Sequence, residues 1–291
     1  MNIRKIIGQA IGRLVCHDGH DSEPQRTVAL VLGGGGARGY AHIGAIEALE
    51  EEGYTIAAVA GTSMGALVGG LYAAGKLKDL KQKVLQLNRK RIVSLINISP
   101  GLDHLATGRR LQELLDKLTD GIDIADLKIP FCCCASDLAS GREIVFRQGC
   151  LKDAIRASIS IPGFFSPVEQ GRMLLVDGSV HNTLPLNRVR RTPGDMLVAV
   201  NASAPYEQPF HDDSRLSRNY MRMAIRVSEV TVMNNTLMAE TITPPDICVD
   251  VPTDRFSLFD FNKGEEIIAY GYRKMKRALR NMKEQQQRKN K

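Results

Sequence analysis

Apolar and polar positions change rhythm several times along the chain. Ile3, Ile6, Ile7, Ala10, Ile11, Leu14 and Val15 recur at helical spacing, while Arg4, Lys5, Gln9 and Arg13 fall elsewhere on the wheel. That spacing predicts an amphipathic helix over the first twenty residues, docked on its own domain or lying in a membrane interface. HDGHDSEPQR (17–26) is polar, carries a proline and reads as a linker. From there the pattern alternates. TVALVLGG (27–34) is a β-branched and aliphatic run, and AHIGAIEALEEEG (41–53) turns to helical spacing with Gly53 as its stop. YTIAAVAG (54–61) and MGALVGGLYAAGK (64–76) repeat the strand–helix unit, the second helix being built of small residues that allow close approach to a sheet. IPFCCCASDL, REIVFRQ, RMLLVDG and GDMLVAVNAS are further strand candidates. Helical stretches are expected near 109–119, 150–158, 215–240 and 262–283. The alternation predicts an α/β fold, a three-layer α/β/α sandwich around a largely parallel central sheet. The organisation expected is 1–26 as N-terminal helix and linker, 27–260 as the main domain, and 261–291 as a C-terminal helix with a basic tail; there is no internal repeat.

Composition narrows the function classes. With 291 residues and 43% apolar content the chain can bury a full-sized core. No stretch approaches the roughly 18 uninterrupted apolar residues of a membrane span, and the first twenty lack the apolar core and cleavage site of a signal peptide. The net charge of +7 is uneven: the last nineteen positions carry nine Lys or Arg and one Glu, so the rest of the chain sums to −1. Such a tail is either a solvated, frayed terminus or an attachment to anionic lipid. A nucleic-acid partner is not expected, because the chain has no Trp and 5% aromatics, and stacking residues are what such binders add to basic charge. Cys16, Cys132, Cys133, Cys134, Cys150 and Cys248 have no ligand spacing, and adjacent strand residues face opposite ways, so no metal site is expected. They read as reduced, mostly buried thiols of a reducing compartment, which places the protein in the cytoplasm.

Two glycine-bearing turns follow the first two strands. Gly34, Gly36 and Gly39 form G-x-G-x-x-G between strand and helix. A dinucleotide fold would place a carboxylate at the end of the next strand, which instead ends Ala60-Gly61-Thr62-Ser63, and a phosphate loop would continue into Gly-Lys-Ser/Thr. What remains is a turn of small residues whose N–H groups converge at a helix start, where negative charge is favoured. The second turn, Gly61-Thr62-Ser63-Met64-Gly65, is G-x-S-x-G placed between strand and helix, the context in which a serine is presented as a nucleophile. Gly61 and Gly65 leave room for the neighbouring strand and helix, and Ser63 projects above the sheet edge. A serine hydroxyl needs a base, and the oxyanion formed at a carbonyl needs donors, each worth on the order of 3 kcal/mol. The glycine turn is the candidate donor. Asp177, ending the apolar strand of Leu174-Leu175-Val176-Asp177-Gly178-Ser179, is the candidate base.

GGGGARG, GTSMG and DGS, in this order and at these separations, resemble the patatin-like phospholipase family over about residues 27–280, together with CASDLASG (134–141), IRASISIPGFFSPV (155–168) and FDFNKGEEIIAYGY (259–272). The resemblance implies a patatin-like catalytic domain and a lipid acyl hydrolase of phospholipase A or lysophospholipase type, with a Ser–Asp dyad and no cofactor. Ser63 would attack the ester and Asp177 take its proton, while Gly34, Gly35, Gly36 and Arg38 cradle the oxyanion and Gly39, Gly178 and Ser179 complete the motifs. The family has Gly or Ala where this chain has Ser179, whose hydroxyl is placed to alter the basicity of Asp177. Phospholipid, lysophospholipid or another acyl ester is the implied substrate, with the inner face of an anionic membrane as a peripheral contact. Residues 77–130, mixing basic patches with Leu/Ile-rich stretches, either wall the site or are ordinary amphipathic helices with solvated lysines. Two rival readings stay open. Ser63, Asp177 and then His181 or His211 satisfy the chain order of a Ser-Asp-His triad, with His42 buttressing the glycine turn and His104 in a loop. Alternatively the chain is a non-catalytic module that binds lipid without turnover.

Overall fold

The computed structural model describes residues 26–87, 109–208 and 220–289. The amphipathic helix expected over the first twenty residues, Cys16, His104 and His211 lie outside the described residues. In chain order the regular elements are β1 (Thr27–Leu32), α1 (Ala41–Glu51), β2 (Thr55–Thr62), α2 (Met64–Ala73), α3 (Leu77–Leu85), α4 (Arg109–Thr119), β3 (Phe131–Asp137), β4 (Arg142–Phe146), α5 (Leu151–Ser158), β5 (Val168–Gln170), β6 (Met173–Asp177), β7 (Met196–Ala204), α6 (Tyr220–Ile242), β8 (Ile247–Pro252) and α7 (Gly264–Lys289). Where they fall among the described residues, the expected strands and helices are present, most within one or two residues of their predicted ends, with α7 running on to Lys289. β5 and β8 are additions: β5 spans only three residues, and the apolar alternation of β8, Ile247, Val249 and Val251, only six, framed by prolines.

Eight strands form one mixed sheet in the order β5-β6-β3-β2-β1-β7-β8, with β4 also on β3. The pairings of β1 with β2 and β7, of β2 with β3 and of β7 with β8 are parallel, whereas β3–β4, β3–β6 and β5–β6 are antiparallel. The α/β expectation of a largely parallel sheet flanked by helices therefore holds. Register explains what this sheet does for the site. Thr62 at the end of β2 pairs with Cys134, and Asp177 at the end of β6 pairs with the next residue, Ala135. Cys133 and Cys134 also pair with β4, as do Ala135, Ser136 and Asp137. β2 and β6 must then share the other edge of β3, meeting tip to tip from opposite directions.

Strand alternation divides the core between two faces. Val28, Leu30, Leu32, Val198 and Val200 pack with Ile43, Ile46, Val68, Ile155 and Ile268 from α1, α2, α5 and α7. Ala29, Val31, Leu197 and Ala199 face Leu184, Leu186 and the half-buried Ala239 of α6, a thinner layer. α7 crosses α1 at a small-residue contact, since a Cβ at Gly44 would collide with Ile268 O and one at Gly271 with Ala41 O. The basic helix is thus docked as far as Lys283, while residues 284–289 are exposed to solvent. Met275 and Leu279 are fully buried, and Lys276 and Lys283 pair with Glu52 at 2.5 and 2.6 Å. These cations hold the Glu52 carboxyl down to about 2. Among the described residues no helix is long and apolar enough to cross a membrane. The five described cysteines are free thiols, with Cys132, Cys133 and Cys134 buried along β3.

Candidate active site

Ser63 sits on the bend from β2 into α2 with φ 55° and ψ −121°, a conformation side chains other than glycine avoid and one that a constrained surrounding must hold. The constraint is visible. Ser63 N–H donates to Ser158 Oγ at 2.9 Å, and Ser158 Oγ–H donates onward to Cys134 O at 2.7 Å, tying the bend to α5 and β3. A Cβ at Gly61 would collide with Gly65 O of the helix, and one at Gly65 with Leu32 O of the neighbouring strand. Both glycines are needed for the reason their positions suggested.

The end of β6 places the acid. Ser63 Oγ–H donates to Asp177 Oδ2 at 2.5 Å, and Asp177 Oδ1 accepts from Ser179 N–H at 2.8 Å. Asp177 N–H donates to Ser160 O at 2.9 Å, fixing the strand end. Gly178 allows this approach, because any Cβ there would strike Cys134 O. Ser63 and Asp177 are 4% and 3% exposed. Burial pushes the Asp177 carboxyl up to about 6, against the opposing pull of hydrogen bonds from Ser63 and from the Ser179 N–H and hydroxyl.

No described histidine approaches this pair by hydrogen bond. His181 Nε2 lies 3.0 Å from Gly141 O on the exposed side of its loop. His42 is fully buried with Nε2–H donating to Gly33 O at 2.8 Å; burial lowers its pKa to about 4, so the ring is neutral. His42 braces the glycine turn, as expected.

The glycine turn itself is narrower in its capacity than the four residues assigned to it. Gly34 N–H donates to Thr183 O at 3.0 Å, and Arg38 N–H to Gly35 O at 3.2 Å, so both donors are occupied. Arg38 is buried with its guanidinium turned to main chain, Nε to Ala202 O at 2.7 Å and Nη1 to Phe256 O at 3.3 Å. Gly35 and Gly36 line the cavity above Ser63, and no acceptor for their N–H groups is found among the described residues. The glycine character is steric as well: at Gly34 a methyl would collide with Ser179 Oγ, at Gly35 with Ala202 O, and at Gly39 with the Met64 side chain.

Ser63, Asp177, Ser179, Gly35, Gly36 and Arg38 open into one cavity of about 490 Å³. Its apolar walls are Ile161, Pro162, Phe164, Val180 and Leu258, and its long side is α6, from Ala224 to Met233. None of the described residues between 77 and 130 lines it; the rest of that segment is outside the described residues. The wall was expected there because the segment is basic and leucine-rich, whereas α6 reads in sequence as a closing helix. The signal pointing to α6 is its long run with few charges. Among the described residues the one cluster of potential metal donors is Glu240, Cys248 and Asp250 on α6 and β8. None of the three lines the cavity, and burial raises the Cys248 thiol far above its ordinary range.

A strained serine bend, a buried acid and a glycine turn thus meet at one cavity on an α/β sheet. The family model for patatin-like phospholipase matches residues 30–189, and the chain belongs to that family. An uncharacterized NTE family protein of Mycobacterium bovis is 39% identical over 185 residues, covering 64% of this chain and 51% of that protein. The lysophospholipase NTE1 of Saccharomyces cerevisiae is 27% identical over 274 residues, covering 84% of this chain and 16% of that protein. The chain thus spans about half the length of the mycobacterial relative and far less of the yeast one. In fold it is similar to the crystal structure of VipD from Legionella pneumophila, with a TM-score of 0.52 at 13% identity over 89% of this chain and 67% of that one.

Proposed function

We propose that this protein is a lipid acyl hydrolase of phospholipase A or lysophospholipase type, with Ser63 as nucleophile and Asp177 as general base. The observation that carries the reading is the 2.5 Å hydrogen bond from Ser63 Oγ to Asp177 Oδ2 at the floor of an apolar cavity. Attack of Ser63 Oγ on the ester carbonyl carbon forms the new C–O bond as the hydroxyl proton moves to Asp177 Oδ2. The carbonyl oxygen becomes an oxyanion, received by the N–H groups of Gly35 and Gly36. Gly34 and Arg38 hold that turn in place through their own hydrogen bonds. When the intermediate collapses, the C–O bond to the alcohol breaks, and the leaving alkoxide takes the proton from Asp177. Water then attacks the acyl-Ser63 carbonyl and gives a proton to Asp177. Breaking the bond to Oγ frees the acid, and Asp177 returns the proton to Ser63. A carboxyl near pKa 6 suits both halves: it is ionised at neutral pH, yet basic enough to hold a proton in passing. The cavity walls suit an acyl chain of a phospholipid, a lysophospholipid or another ester, and the reaction calls for no cofactor.

The test is a lipid panel read by mass spectrometry beside labelling with a fluorophosphonate probe. Ser63→Ala is expected to abolish both labelling and hydrolysis, and Asp177→Asn to abolish hydrolysis, with folding intact by circular dichroism. Hydrolysis retained by either variant overturns the dyad. Lipid binding by the native chain without turnover would make it a binding module instead.

A further inference from the structure

A surface helix ordinarily turns its apolar stripe to the core and its charges to water. α6 turns Ile225, Val232, Met233 and Ala239 inward, yet its outward side is apolar as well. Tyr220 is 90% exposed, Ile242 75%, Val227 59%, Leu237 58% and Met238 54%, and Met223 and Val230 share this outward face. Between them stand Ser228, Thr231, Asn234 and Thr241, so the outward positions whose side chains are described carry no charge. The charged groups point the other way. Arg226 pairs with Glu229 at 3.2 Å and lies over the Tyr206 ring, and Glu240 accepts from Asn201 Nδ2 at 3.2 Å.

This face is continuous with the mouth of the cavity. Ala224, Val227, Ser228 and Thr231 line the cavity and are exposed as well. Val180, also in the lining, is exposed, and so is Phe259, whose ring packs at 4.8 Å on the cavity residue Phe164. The rim around the entrance is therefore apolar on more than one side.

We propose that the outward face of α6, with Val180 and Phe259 at the rim, docks on the boundary between headgroups and acyl chains of a lipid bilayer, so that an ester passes from the membrane into the cavity without crossing water. The proposal rests on reading the cavity as a lipid acyl hydrolase site, and it names the surface from which that site is fed. Size and charge favour lipid over a second copy of the chain. The helix is about 33 Å long and about 10 Å across, a face of roughly 330 Å², against about 800 Å² per partner in a stable dimer. No described carboxylate on the face meets a headgroup phosphate, and no described cation on it asks for one, so docking depends on apolar contact and not on anionic lipid. A protein partner seated there would close the mouth.

The experiment is flotation of the full chain with vesicles of neutral phosphatidylcholine at low and high salt, comparing the native protein with Val230→Asp/Leu237→Asp. Neither position lines the cavity. The native chain is expected to float at both salt concentrations, since apolar docking is not screened. The variant should lose partitioning by about tenfold or more, and vesicle hydrolysis with it, while its rate on a soluble short-chain ester stays unchanged. Val230→Ser/Leu237→Ser should give a smaller loss in the same direction, separating lost docking from lost folding. Failure of the native chain to float, a variant that floats like it, or a native dimer that the substitutions split would each overturn the proposal. A native chain that floats in this α6-dependent way yet hydrolyses neither vesicle lipid nor soluble ester keeps the docking surface and removes the hydrolase reading.

Discussion

Ser179 lies two residues past Asp177 in the wall of the cavity, and Ser179→Ala measures what its hydroxyl does. Asp177 accepts hydrogen bonds from Ser63, from the Ser179 N–H and from the Ser179 hydroxyl, each favouring the ionised form, while burial favours the neutral one and wins, leaving the carboxyl near 6. Alanine keeps the N–H donor, at 2.8 Å from Oδ1, and removes only the hydroxyl. Hydrogen bonds to charged groups are worth about 1.5–3 kcal/mol. Taking the low end because a second donor remains, the loss is about one pKa unit, or about 1.4 kcal/mol. The sign is upward: a general base works ionised, so activity is present above its pKa and lost as pH falls through it. The acid limb of kcat/KM on a soluble nitrophenyl ester should sit near 6 in the native protein and near about 7 in the variant. At about pH 5 the ionised fraction then drops from about a tenth to about a hundredth, a tenfold loss of rate, while at about pH 8 the two proteins differ little. His42, held down to about 4 by burial, does not supply a limb at this position. A limb that stays put in the variant or moves to lower pH refutes the assignment of the base and of its tuning.

Three further outcomes follow from the packing. Gly34→Ala drives a methyl into Ser179 Oγ, with Ser63 Cβ at 3.3 Å; it should cost most of the activity, and adding Ser179→Ala should restore about tenfold of it, a coupling of about 1–3 kcal/mol that simple additivity would contradict. His181→Ala, whose ring nitrogen contacts Gly141 O and not the dyad, should leave ester hydrolysis near normal; complete loss with an intact fold would establish a triad. Leu279→Ala should lower the unfolding free energy in urea by about 2–5 kcal/mol, as for a filled core position. Alanine at the exposed Arg288 and Lys289 should cost less than about 0.5 kcal/mol. Equal small effects at the three positions would mean that the basic helix is not docked.

The rhythm of strands and helices was legible in the sequence because it depends on side-chain periodicity over a few residues. So was the serine bend, because Gly61 and Gly65 answer to backbone atoms within the same strand–turn–helix unit and the strand beside it. Asp177 was legible as a strand-end acid followed by glycine, but its meeting with Ser63, 114 positions away in the chain, depends on β2 and β6 sharing an edge of β3 in register. Which amides of the glycine turn stay free was also a long-range matter. Each of the four residues offers a main-chain N–H in sequence, yet Thr183 O takes the Gly34 donor and Gly35 O the Arg38 donor, leaving Gly35 and Gly36. The cavity wall was read onto the basic, leucine-rich segment before β3; among the described residues it is built by α6, whose outward apolar face has meaning only once its inward face is known. Sequence determines what a stretch can do with its neighbours a few residues away; burial of Asp177, the free amides and the exposed side of α6 are properties of surroundings that exist only after distant segments have packed.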